Sequence, residues 1–146
     1  MASGPSALSI HALRLGPGQE ILSSLVSFVE ERRMKAPFIL TCVGSVTKAM
    51  LRLANASARN TNEVIRLEGP FEIVSLVGTL NKEAHLHICL ADRTGATVGG
   101  HVLGDLQVFT TAEIVLGEAA DLQFSREMDD RTGFPELVVT SCMDRA

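Results

Sequence analysis

The 146 residues carry 46% apolar and 21% charged side chains, a net charge of −4 and a mean hydropathy of +0.23. That length makes a single domain over 1–146 with an approximate core at 7–140, and the composition excludes a disordered, collagen-like or staple-dependent chain. The acidic balance argues against binding a nucleic-acid backbone, the absence of Tyr removes tyrosine acid–base chemistry, and no apolar run approaches the ~20 residues that span a bilayer.

Along the chain, Ser9 to Leu15 alternates and predicts a first strand, broken by Gly16-Pro17-Gly18. Ile21, Leu22, Leu25, Val26, Phe28 and Val29 recur at helical spacing and predict a helix from about Gln19 to Arg33. Glu20 lies at its positive end, Arg32, Arg33 and Lys35 lie at its negative end, and Pro37 forbids continuation. Strands are expected at Phe38–Val46, Thr47–Leu53, Glu63–Glu68 and Phe71–Leu80, with a loop over Asn55–Asn62 and a turn at Gly69-Pro70. Further strands are expected at Ala84–Ala91, Thr97–Leu103, Gln107–Leu116 and Asp121–Glu127, with Leu137-Val138-Val139 as a short strand or arm. The fold class is therefore α/β of the α+β type: a curved, mainly antiparallel sheet with one principal helix packed on it. One helix covers too little of the apolar strand surface, so the sheet must curl on itself or meet another subunit.

Chemistry concentrates in the segment containing His85, His87 and His101. Alternate strand residues share a face, so His85 and His87 point the same way, about 6.5–7 Å apart along the strand, while Leu86, Ile88 and Leu90 point the other way. If a four-residue loop at 92–95 joins the flanking strands, His101 faces Leu86 on the wrong side. One extra residue, in a five-residue loop or a bulge, moves it opposite His87. Gly95, Gly99 and Gly100 are residue types that permit this. Three histidines plus an open position make the ligand set of catalytic zinc, so the segment is read as a divalent-metal site. The competing reading is a set of sheet-face histidines with no ion.

Cys42, Cys89 and Cys142 are odd in number and lack close spacing, which reads as reduced intracellular thiols, with Cys89 a core thiol. The start lacks the pattern of a secretory leader, and the expected location is cytoplasmic, with nuclear or organellar placement left open. His11 is an ordinary histidine of the first strand, and Asp129-Asp130-Arg131 a solvated turn.

Several segments in order resemble the plant and prokaryote conserved (PPC) domain. They are the Gly69-Pro70-Phe71-Glu72-Ile73 stretch, His85-Leu86-His87 followed by Gly99-Gly100-His101, Thr111-Ala112-Glu113-Ile114, and the run from Phe124 to Leu137. The resemblance covers nearly the whole chain. It implies a homotrimer and a metal, zinc or another divalent ion, on His85, His87 and His101. The implied fold is similar to that of acetolactate decarboxylase, which holds a metal on three histidines; fold alone says little about substrate. Plant members carry AT-hooks, but this chain has no Arg-Gly-Arg-Pro core, so direct DNA binding is not expected. Pro70 also stands where plant members have Arg, which weakens any carry-over of their partner binding. The leading expectation is a stand-alone, homotrimeric protein with a divalent metal on His85, His87 and His101, its role otherwise open and a small-molecule ligand at the metal an option. One alternative is a metal-dependent lyase or hydrolase, with Glu113 as proton-transfer candidate. The other is an interaction module with no chemistry.

Overall fold

The computed structural model describes residues 4–57, 59–60, 63–81 and 83–142. They form β1 (Leu8–Leu15), α1 (Ile21–Glu31), β2 (Pro37–Arg52), β3 (Val64–Thr79), β4 (His85–Ala91), β5 (Thr97–Ala119), β6 (Leu122–Asp129) and β7 (Phe134–Ser141). The expected α+β class is what is found: among the described residues every strand pairing is antiparallel, and there is one α-helix.

Three expected interruptions are not interruptions. β2 runs through Thr47 without a break. Gly69-Pro70 is not a turn: Val46 pairs with Phe71 and Lys48 with Glu68, so both residues oppose the single Thr47 as a β-bulge. Proline is tolerated there because a bulge position need not donate to the ladder. Likewise β5 does not stop between Leu103 and Gln107; the register slips by one residue between Gly104 and Gln107, where Asp105 adopts φ 48°. Bulges bend a strand and leave its hydrophobic alternation intact on either side, which is why the sequence pattern looks like two strands.

The bends let the sheet close. Its order is β1-β5-β2-β3-β4, and β4 pairs back onto β5. The β2, β3, β4 and β5 strands thus form a ring. Leu51, Leu86, Leu90, Leu106 and Leu116, each at most 1% exposed, belong to one core cluster with the helix residues Ile21, Leu25 and Val29. The curl accounts for much of the apolar surface that one helix could not cover.

Helix α1 is shorter than expected. Glu20 is its N-cap: one carboxylate oxygen accepts from the Ser23 N–H at 2.7 Å and the other from the Leu106 N–H at 2.9 Å. The helix end is a Schellman motif, with Met34 N–H donating to Val29 O and Arg33 N–H to Glu30 O. Arg33 takes the left-handed position at φ 52°, so the basic residues lie past the helix rather than in its last turn. After β5 the chain leaves the ring as a separate two-stranded ribbon, β6–β7.

Candidate metal centre

Ala91 pairs with Thr97, so five residues connect β4 to β5. The loop is built by Asp92: its Oδ1 accepts from the Thr94 N–H and hydroxyl and from the Ala96 N–H, at 2.8, 2.7 and 3.1 Å. Gly95 takes φ 85°, a position that glycine occupies without penalty. This is the longer of the two loops considered above, and it sets His101 directly opposite His87. Gly99 and Gly100 do not make the bulge. They are needed for close approach instead, since a Cβ on Gly100 would lie 2.7 Å from the Arg52 carbonyl oxygen.

Directly opposed residues of antiparallel strands share a face. Val77 of β3 opposes His87, His87 opposes His101, and His101 opposes Arg52 of β2, giving one row across four strands. In the next row Thr79 opposes His85. The three imidazole centroids stand 5.1, 5.1 and 5.6 Å apart, and each ring offers a nitrogen within 4.8 Å of the others. Leu86, Ile88 and Leu90 of the same strand point into the core, as the alternation requires.

The triad faces an open cleft of about 800 Å³. Two arginines line it, one on each side. Arg126 of β6 donates from Nη2 to the Thr79 hydroxyl at 3.0 Å, beside His85. Arg52 lies next to His101, its guanidinium carbon 5.4 Å from the centre of the Phe134 ring. Burial, then Arg52 and the other imidazoles, pull the His101 pKa down from 6.5 to about 4. Burial, then Arg126 and His87, also lower that of His85, with Glu136 opposing weakly. Both rings are therefore held neutral, the form in which an imidazole nitrogen binds a metal. The donor set suits a borderline divalent ion: three nitrogens and, among the described residues, no fourth ligand in the group.

The structure does not bring Glu113 to this site. It is exposed on β5 opposite Arg14 and Val43, and it does not line the cleft. The carboxylates that do are Glu83 and Glu136. Cys89 is a correction as well: it shares the histidines' face, as the even spacing requires, but is half-buried and lines the cleft rather than the core. The core thiol is Cys42, whose pKa burial raises to about 11. His11 packs edge-on against Phe28, and Asp129 pairs with Arg131 at 2.7 Å in the β6–β7 turn. Arg52 carries no sequence signal of its own, and Arg126 and Glu136 stand in the Phe124–Leu137 run of the resemblance without being marked as site residues; strand register and the ribbon's path assemble them. No described helix is long and apolar enough to cross a membrane.

A protein of unassigned function from Salmonella is 38% identical in its solved structure, with TM-score 0.88 over 95% of this chain and 98% of that one. A metal-containing protein of Archaeoglobus fulgidus is 25% identical, with TM-score 0.76 over 94% and 99% of the two chains. The bifunctional protein GlmU of a Synechococcus strain is 39% identical over 91% of this chain, which spans only 20% of that relative's length. The model of the Plants and Prokaryotes Conserved domain, abbreviated PCC or PPC, matches residues 2–120, and the chain belongs to that family.

Proposed function

We propose that this PPC-domain protein is a homotrimer that holds one divalent ion, zinc in the first instance, on His85, His87 and His101 and uses it to bind a small molecule. The observation that carries this reading is the convergence of three ring nitrogens within 4.8 Å on the floor of a solvent-open cleft. The metal-containing Archaeoglobus relative is in keeping with it. A bound ion would supply Lewis acidity at a position the protein leaves open. The chain's own residues set the rest: two rings kept neutral, a cleft floor fixed by strand register, and arginines on both flanks. Protein purified without added metal is expected to carry close to one divalent ion per chain, and His87→Ala to lose it. Elemental analysis showing no metal after zinc is supplied overturns the reading and leaves the interaction-module alternative.

A catalytic use of the same site is a second reading, of lyase or hydrolase type. It is favoured by Glu136, a carboxylate close enough to His85 to oppose the lowering of its pKa. It would take the proton-transfer role for which Glu113 is misplaced.

A further inference from the structure

Two guanidinium groups flank the histidine triad, and neither has a carboxylate partner: the ion pairs among the described residues are Arg32–Glu31 and Arg131–Asp129. Arg126 is held in place by neutral oxygens, Thr79 Oγ1 at 3.0 Å and the Pro135 carbonyl at 3.5 Å, and its Nε is buried with no acceptor. The guanidinium thus carries its charge beside the cleft with no counter-charge on it and with donor capacity left over. Arg52 is likewise half-buried over the Phe134 ring, opposite His101. A divalent ion on the triad would add two more positive charges between them, against Glu83 and Glu136, the carboxylates that line the cleft among the described residues. Such a cleft favours a ligand of negative charge.

We infer that the cleft takes a small organic acid whose carboxylate is held by Arg52 and Arg126 across the histidine floor. The inference rests on the metal-site reading for the triad but not for the arginines. A planar carboxylate matches the guanidinium fork. Phosphate fits less well, because phosphate sites commonly draw on a helix N-terminus or a nest of backbone N–H groups, and α1 does not line the cleft. Val77, Ala84 and Phe134 give the ligand's body an apolar wall, and about 800 Å³ accommodates a small metabolite with room to spare.

The test is calorimetric titration of lactate and, separately, inorganic phosphate into zinc-loaded and chelator-stripped protein, with zinc measured in every sample. Lactate should bind the loaded protein, and Arg52→Gln should weaken it about tenfold or more with zinc content unchanged. Arg126→Lys should weaken it less than Arg126→Gln, because the ammonium keeps the charge but not the fork. If Arg126→Gln fails to fold, Arg52→Gln decides alone. Lactate affinity indifferent to Arg52→Gln, no lactate binding to the loaded protein, or tighter binding of phosphate overturns the inference while leaving the metal site standing. If the protein takes up no zinc, the metal reading fails by itself. Lactate binding to the stripped protein that Arg52→Gln abolishes would then still uphold the arginine site, and its absence would overturn it.

Discussion

His101 is buried enough, and close enough to Arg52, that protonating it in the folded chain is unfavourable: its pKa is about 4, against 6.5 for a free imidazole. Between those values the unfolded chain binds the proton and the folded chain does not, so acid favours unfolding. The contribution of His101 is present above about pH 6.5 and is lost as pH falls toward 4, and His85 shifts in the same direction. The urea midpoint of chelator-treated protein is expected to drop across that window, and His101→Gln should flatten the drop. A midpoint equally steep in the variant would show that other groups govern it. The shared face of His85 and His87 was legible in the sequence because strand side chains alternate with a period of two, whereas that of His101 hung on one residue of loop length, for which Gly95 was only a hint. That Arg52 and Arg126 stand at the site was not legible. Arg52 reaches the site through pairing with a strand 49 positions away (101 against 52), and Arg126 through a ribbon whose path no local pattern encodes.

At the scale of the element, α1 ends on a residue poorly suited to its backbone. Arg33 sits at φ 52°, where a Cβ costs about 1–2 kcal/mol, in the Schellman position that glycine usually fills. Arg33→Gly should stabilise the protein by about 0.5–1 kcal/mol in urea unfolding, the gain trimmed by glycine's greater freedom when unfolded. A loss of stability would mean that the arginine side chain makes a contribution its exposure does not suggest. The existence of the helix and of most strands could be read from periodicity. Their ends could not: Glu20 looked like a charge beside the dipole and is the cap, and Gly69-Pro70 looked like a turn and is a bulge. Turn and bulge chemistry use the same residues, and long-range pairing decides between them.

At the scale of the molecule, the ring of strands hides one apolar face, yet Val43, Val74 and Val77 remain 59, 56 and 54% exposed and Phe109 46%. Isolated apolar side chains are unremarkable on a surface, and Val77 lines the cleft, but Val43, Val74 and Phe109 lie outside it and are of a size that suits a subunit contact. Light scattering after size exclusion should give three times 15.6 kDa, and Val43→Asp a smaller mass. A wild-type monomer at low micromolar concentration would end the assembly proposal. With a net charge of −4, a gel shift on A·T-rich duplex at about 0.15 M salt should show no complex below about micromolar protein. A tight, salt-sensitive complex there would contradict that expectation.

The partnership of β1 with the far end of β5 also sets a timetable. Leu8 pairs with Ala119, and Leu15 with Ala112. At ~5–20 residues per second, a ribosome needs on the order of 5–20 s to make the intervening stretch. For that interval β1, with Leu8 and Ile10 facing outward, has no strand to lie against. The β4–β5 hairpin, closed by five residues, needs no such wait. The histidine floor is therefore expected to take shape while the chain is still being threaded, and the N-terminal strand to dock late, which makes this wait the step at which a nascent chain most needs a chaperone's cover.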